Sequence, residues 1–376
     1  MPFFLYEGSM YNSKKTNQLE FDLKVRYNGI IQTNYYTRKV KFLPEQSKLN
    51  IYGGQAVIEG VMFGGKHVNV TAVRRKNGEI TFLEVPKQDK AWVKRLRKIP
   101  LIRGIVSLVD SSAKGSKHLN YAAEAMADDE IEPEERAKQK EKEESKWSLT
   151  MILGVAVVGV LSFIVGKLIF TLVPALLEQY LFQHAFSNQT LHSLVEGVIK
   201  IVLLLTYLWI ISQTPIIKRL FQYHGAEHKV ITAYEAGEEL TPAKVQKYSR
   251  LHYRCGSSFI ILTVIVGIVL YSLPIFSWDN IWERMYIRIL LLPVVIGVSF
   301  ELLRLTNAVR DIPVLRFLGY PGLWLQLLTT KEPNLEQLEV SIASFNRMRE
   351  VDALIEENGT VPFSEASHPS LDPVKG

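Results

Sequence analysis

Four long apolar segments in the second half of the chain constrain its fold more than any other feature. They cover about 148–174, 193–217, 256–276 and 286–306. Each approaches the roughly 20 residues that a helix needs to cross about 30 Å of hydrocarbon. The first three are apolar around the whole helix circumference, which disfavours the alternative of buried helices in a large soluble core. The segments therefore predict four transmembrane helices.

The distribution of Lys and Arg around these segments predicts their orientation. Residues 178–192 contain no Lys or Arg, whereas the loop 218–254 contains seven. Basic residues accumulate in cytoplasmic loops, so we expect this loop and both termini to be cytoplasmic. The formal net charge of +6 then follows from topology, and no nucleic-acid partner is needed to explain it. The apolar part of the N-terminus is too short for a cleavable signal.

The rest of the chain divides by composition. The predicted fold class is an α+β membrane protein, with an N-terminal cytoplasmic β-containing domain followed by a four-helix transmembrane bundle. An Asn-Gly turn at 77–78 predicts a hairpin within that domain. The expected segments are a polar N-terminal arm (1–50), a β-rich domain with an amphipathic helix (51–126), a charged linker (127–147), the membrane domain (148–330) and a cytoplasmic C-terminal tail (331–376).

The amphipathic helix of the β-rich domain has two interpretations. Basic residues at 90–98 precede an apolar stretch that is too short to span a bilayer. The helix either lies on the lipid surface, with its basic residues at anionic headgroups, or packs on the soluble domain. Both interpretations stay open, and the first makes membrane lipids a partner.

The motif YHGAEHK at 223–229 carries the most specific chemistry. On a helix, His224 and His228 lie one turn apart on the same face, where two imidazoles can bind one divalent ion. Glu227 precedes the second histidine and is placed to act as a general base on a bound water or as a further metal ligand. The order H-x-x-E-H is that of the inverted zinc proteases, although nothing else in the chain resembles their soluble fold.

Further candidate ligands lie in or beside the apolar segments. His252 and Cys255 are three residues apart and suit zinc if that stretch is helical. Glu301 is an ionisable residue within the fourth segment, and such residues are functional candidates. An ion pair with Arg304 is the competing explanation for Glu301. Glu59 lies between the glycine pairs 53–54 and 64–65, where it either approaches a ligand or caps a turn.

Four motifs together resemble one family. GGQAVIEGVMF, YHGAEHK, RLHYRCGSSF and PGLWLQLLTTKEPN are similar to the YqhQ-like bacterial membrane proteins, a family of unknown function described as predicted metal-dependent enzymes. The resemblance runs from about residue 52 to 349. It implies an inner-membrane location and a metal site at His224, Glu227, His228, His252 and Cys255. It implies no substrate.

Three hypotheses of function follow. The first is a metal-dependent membrane hydrolase, with a divalent ion (zinc is the expected one) at the cytoplasmic face. The second is a non-catalytic scaffold or assembly factor with a structural metal or a hydrogen-bonded His/Glu cluster. The third is a transporter, for which the ionisable residues within the spans are Lys167, Glu196, Lys200 and Glu301. A membrane-protein partner and a homo-oligomer both stay open.

Overall fold

The computed structural model divides the chain into two units, Met1–Ile51 and Tyr52–Gly376. The first unit contains strands β1 (Tyr6–Ser13), β2 (Gln18–Tyr27), β3 (Ile30–Ile31) and β4 (Val40–Lys41), with β2 paired antiparallel to the other three. The structure describes residues 6–13, 18–27, 30–31, 40–41, 52–87, 91–130, 165–166, 169–185, 187–276 and 278–358.

A four-stranded antiparallel sheet organises the second unit. Its strands, in spatial as well as chain order, are β5 (Gly53–Val57), β6 (Gly60–Gly64), β7 (Val68–Arg74) and β8 (Ile80–Pro86). Tight turns join them, and the turn before β8 has Gly78 at φ 88°, a conformation that favours glycine. β5 lies at one edge of the sheet.

Helices cover both faces of this sheet. One face packs on α5 (Pro215–Glu235) and α10 (Leu335–Asn358), around a core that includes Phe63, Tyr223 and Phe345. Residues 335–358 fall in the segment expected to be a C-terminal tail, and here they form this core helix. The other face packs on α2 (Ile102–Asp128), which follows the short α1 (Ala91–Leu96). The buried residues of α2 are mostly small, so that helix lies close to the strands.

The apolar region contains a second group of helices. These are α3 (Ile169–Phe182), α4 (Gln189–Ile211), α7 (Ser257–Tyr271), α8 (Ile281–Ala308) and α9 (Tyr320–Thr329), with a 3₁₀ turn at Leu315–Gly319 before α9. The four-residue α6 (Pro242–Val245) lies between α5 and α7. Side-chain caps define two helix starts, because Asn188 accepts from the Thr190 N–H and Asn280 accepts from the Glu283 N–H.

The predicted four-helix transmembrane bundle is wrong. Among the described residues, two helices are long and apolar enough to cross a membrane, α4 and α8. The segment 256–276 forms α7, whose 15 residues extend about 22 Å and fall short of the hydrocarbon thickness. The segment 193–217 ends early, since α4 stops at Ile211 and Pro215 begins α5. The mean hydropathy of these two segments does not reveal where their helices end. The described part of the second unit is mainly helical around one small sheet.

Two sequence-based assignments fall largely outside the described residues. The first is the segment 148–174, of which the structure describes only 165–166 and the start of α3. The second is the charged linker 127–147, of which the structure describes only 127–130.

Candidate metal centre

Three potential metal ligands converge where α5 meets the start of α7. His224 and His228 lie one turn apart on α5, as their spacing predicts, with ring centroids 4.5 Å apart. Cys255 lies just before α7, and its Sγ is 3.2 Å from His224 Nε2. One ligand atom from each residue lies within 4.8 Å of the others. His228 and Cys255 are buried, so the three side chains form an enclosed donor set.

Backbone carbonyls orient both imidazoles. His224 Nδ1 is 2.8 Å from the carbonyl oxygen of Thr329, and His228 Nδ1 is 2.6 Å from that of Arg250. A carbonyl oxygen only accepts, so in both rings Nδ1 carries the proton and Nε2 presents its lone pair. An outer hydrogen bond of this kind is the usual support of a metal-binding histidine. Burial also lowers the pKa of His228, which favours the neutral form that binds metals.

Cys255 has donors arranged around its sulfur. The Ser257 N–H donates to Sγ at 3.4 Å, and the Ser257 hydroxyl lies 3.0 Å from it. The thiolate is the form of cysteine that binds metals, and both Ser257 groups lie close enough to Sγ to hydrogen-bond to it. Residues 252–256 are not helical, so Cys255 joins the histidines through the turn that enters α7 and not through a helical face shared with His252.

The donor set fits zinc. Imidazole nitrogen and thiolate are both zinc ligands, and catalytic zinc sites have three protein ligands and keep a fourth position open. Bonds of about 2.0–2.3 Å in a tetrahedral arrangement place ligand atoms about 3.5 Å apart. The His224–Cys255 pair is already at 3.2 Å, and the widest separation of 4.8 Å requires a contraction of about 1 Å, which side-chain rotation supplies.

Glu227 lies beside this cluster, on the side that faces β5. Its side chain is buried, and burial raises the pKa of its carboxyl. The N–H of Gly54 donates to it. A Cβ at position 54 would lie 3.1 Å from the Glu227 side chain and would overlap the carbonyl oxygen of Met62, so only glycine allows this approach.

His252 forms a layer behind the cluster. Its ring centroid is 5.7 Å from that of His228, and burial lowers its pKa to about 4. Gln326 fixes its backbone by accepting from the His252 N–H and donating to its carbonyl, both at 2.8 Å. The Arg254 N–H lies 3.4 Å from His252 Nδ1.

The structure places the remaining candidates elsewhere. Arg103 of α2 binds both carboxylate oxygens of Glu301, and the Leu101 N–H donates to Oε1 at 3.2 Å. Glu301 therefore anchors α2 to α8 and is not gathered with the histidines. Its ion-pair partner is Arg103 and not Arg304.

Glu59 sits in the β5–β6 turn and binds the first half of α5. Its φ of 53° is in the left-handed region that non-glycine residues seldom adopt. Its carboxylate binds the Arg219 guanidinium and accepts from the Tyr223 hydroxyl at 3.2 Å. Glu59 thus holds the hairpin against the helix that carries both histidines.

A cavity of about 310 Å³ opens onto the cluster. One wall is the backbone of residues 52–56, and the opposite wall is formed by the histidine face of α5 and by the turn at 252–257. Glu227 and Cys255 both line it. A small substrate group that enters this cavity reaches the proposed ligands and the buried carboxylate together.

The sequence analysis did not identify a second cluster of charged residues. These residues form a buried network of ion pairs between α3, α4 and α8. Glu178 and Glu196 face Arg284 and Arg288, and each of these side chains is at most 5% exposed. Glu196, which was considered for transport, is held by both arginines. One sequence feature could have predicted this network. The two arginines are four residues apart, so on a helix they lie one turn apart and share a face.

The comparisons with known proteins agree with the motif resemblance. Residues 99–351 match a family described as "Protein of unknown function (DUF1385)". Over 307 residues the chain is 53% identical to the "Uncharacterized protein YqhQ" of Bacillus subtilis (strain 168), an alignment that covers 82% of this chain and 95% of that relative. No solved structure matches. These matches confirm the resemblance to the YqhQ-like family.

Proposed function

The chain belongs to the DUF1385 family of unknown function, and we propose that it is a zinc-dependent hydrolase. The observation that carries this proposal is the pair of Nε2 lone pairs on His224 and His228, oriented by carbonyls toward Cys255 beside the buried carboxyl of Glu227. The open cavity next to these groups supports a catalytic site over a closed one.

Each residue has a distinct role in this proposal. His224, His228 and Cys255 hold the ion, which when bound supplies a Lewis acid for a substrate carbonyl and lowers the pKa of water. Glu227 accepts a proton from the attacking water and delivers it to the leaving group. The Gly54 N–H holds the Glu227 carboxylate in place. Its burial keeps the carboxyl basic enough for this transfer.

We further propose that the site lies at the cytoplasmic face of a bacterial inner membrane, with both termini on that side. The helices α4 and α8 are apolar over lengths that can span a bilayer. Lys and Arg of the segment 218–254 surround the proposed ligands in sequence, and such residues mark cytoplasmic segments.

Metal analysis of the detergent-purified protein tests the proposal. We expect about one equivalent of zinc, lost in His224→Ala/His228→Ala and retained in His67→Ala, a half-buried control in the β6–β7 turn. Glu227→Gln is expected to keep the metal and to lose hydrolysis of ester and amide substrates by about 10²–10⁴-fold. Absence of metal from folded wild-type protein after exposure to zinc would sink the proposal.

A structural metal site is the second candidate, and the position of His252 is the observation that favours it. Its Nε2 is buried, has no hydrogen-bond partner among the described residues and belongs to a ring near His228. If His252 rotates to complete a four-ligand shell, the ion is structural and the protein is a scaffold. Cobalt substitution separates the candidates, because an open site changes its visible spectrum when azide is added and a closed site does not.

A further inference from the structure

The hydrogen-bond register of the sheet shows which backbone groups of β5 point away from β6. The Arg74 N–H donates to the Glu59 carbonyl at 2.9 Å, so these two residues form a hydrogen-bonded pair. Such pairs recur at every second residue of an antiparallel ladder. The odd-numbered residues of β6 therefore bond to β7, and the even-numbered ones bond to β5. β5 pairs Gln55 with Met62 and Val57 with Gly60. The N–H and C=O groups of Gly54 and Ala56 therefore point away from β6, toward the open edge.

These outward groups face the proposed active site. The Gly54 N–H is bonded to Glu227, which independently confirms the direction given by the register. For the Gly54 C=O and both groups of Ala56, the described part of the chain provides no hydrogen-bond partner. Gly54 is exposed, Ala56 is partly exposed, and both line the cavity beside the histidines.

The spacing of these groups identifies their ligand. In an antiparallel pair, the N–H and C=O of one residue exchange two hydrogen bonds with one residue of the partner strand. Ala56 offers both groups, and Gly54 offers a further acceptor about 6.8 Å along the edge. Alternating donors and acceptors at this interval occur in an extended peptide backbone and not in an acyl chain or a phosphate headgroup.

We propose that the free edge of β5 binds an extended peptide segment and thereby presents one of its amide bonds to Glu227 and the metal centre. This inference rests on the proposed hydrolase function and names its substrate class. One residue of the peptide pairs with Ala56, and the scissile amide lies opposite Gly54. Water adds to the amide carbon, the C–N bond breaks, and the proton taken by Glu227 passes to the leaving nitrogen. The products are a carboxylate and an amine.

Binding to an inactive variant tests the edge separately from catalysis. The full-length Glu227→Gln protein is mixed with random decapeptides, retained peptides are identified by mass spectrometry, and one is labelled with fluorescein. The backbone of that peptide is then N-methylated at each position in turn, and its affinity is measured by anisotropy. We expect alternation: methylation weakens binding about five- to tenfold where the N–H faces β5 and has little effect at the positions between. A scan without alternation, or retention of no peptide at all, overturns the proposal.

A variant of β5 tests the same contact from the protein side. Ala56→Pro removes the outward N–H without breaking a bond to β6, which is where an edge strand tolerates proline. We expect about five- to tenfold weaker peptide binding than in the matched control Ala56→Gly, with equal zinc content in both. Equal affinities of two folded variants would contradict the proposal, and the peptide scan decides the matter if Ala56→Pro does not fold.

Failure of this inference is distinguishable from failure of the hydrolase proposal. Peptides that bind with the alternating pattern but are not cleaved by zinc-loaded wild-type protein support the edge and contradict the hydrolase. Zinc-dependent cleavage of a lipid ester without peptide binding contradicts the edge and leaves the hydrolase standing.

Discussion

Substitutions in the buried ion pairs between α3, α4 and α8 are predicted to change the free energy of unfolding by a large and measurable amount. Arg284 binds both Glu178 and Glu196, and Arg288 binds both carboxylate oxygens of Glu196. His192 Nδ1 contacts the other oxygen of Glu178. The carboxylates of Glu178 and Glu196 balance the two guanidiniums. Glu196→Gln leaves one positive charge without a partner.

The expected loss of unfolding free energy in Glu196→Gln follows from the burial of the ion pair. The side chains of Arg288 and Glu196 are 5% and 4% exposed, so water cannot replace the lost carboxylate. Breaking a buried pair by removing one partner costs about 3–5 kcal/mol. Arg284 keeps Glu178, so the unpaired charge falls on Arg288. We therefore expect Glu196→Gln/Arg288→Gln to recover at least about 2 kcal/mol relative to the single variant, since it removes that charge.

Unfolding in mixed micelles measures these differences. Circular dichroism at 222 nm follows the helices. Tryptophan fluorescence is a second probe, to which Trp278, one of six tryptophans, contributes with the Arg284 guanidinium 4.6 Å from its ring centroid. The matched control is Glu283→Gln, on an exposed position of the same helix. A single variant within about 1 kcal/mol of wild type, or a double variant no more stable than Glu196→Gln, would refute the reasoning.

Two further predictions concern the sheet. His118 is buried against the Thr71 hydroxyl, and burial lowers its pKa from 6.5 to about 4. The unfolded chain therefore binds the proton first, and the unfolding free energy falls by up to about 3 kcal/mol as pH drops from 6.5 to 4; the same titration of His118→Gln should lack this step. Asp352 accepts from three N–H groups of the turn 66–68. In urea unfolding, Asp352→Asn should cost about 2–3 kcal/mol and the exposed control Glu356→Gln far less, and equal losses would contradict this role.

The part of the site that sequence could predict is the part set by local geometry. His224 and His228 share a face because α5 is helical through the motif, and helical spacing needs no tertiary information. The glycine of the motif also has a packing reason, since a Cβ on Gly225 would overlap the carbonyl oxygen of Lys331. The carbonyls that orient the rings come from Arg250 and Thr329, and no sequence pattern marks a carbonyl as a hydrogen-bond acceptor for a particular histidine.

The predicted bundle failed because hydropathy measures composition and not helix length. The segment 256–276 is apolar nearly throughout, but α7 ends at Tyr271, three residues before Pro274. Pro274 cannot continue a helix. Proline is not decisive everywhere, because Pro293 lies inside α8 without ending it. Apolar runs thus located the helices, whereas their lengths depended on terminators whose effect varies with tertiary packing.

Glu301 shows why an ionisable residue in an apolar helix is ambiguous. Its carboxylate needed a partner in either interpretation, and sequence offered Arg304 nearby or the histidines across the predicted face. The partner is Arg103, 198 residues away, reached because Leu101 adopts a φ of 66° and packs against Gly297.

The glycines at 53 and 54 are a second case in which the contact partner of a residue could not be predicted from the sequence. Both precede Glu59 in the sequence, but Gly54 lies against the side chain of Glu227, and Glu59 holds the hairpin to α5. In the proposed mechanism, the hairpin is fixed at its turn and its glycine edge holds a substrate against the buried carboxyl of Glu227. The edge strand β5 thereby connects the sheet to the proposed chemistry, and no side-chain motif marks a strand edge in the sequence.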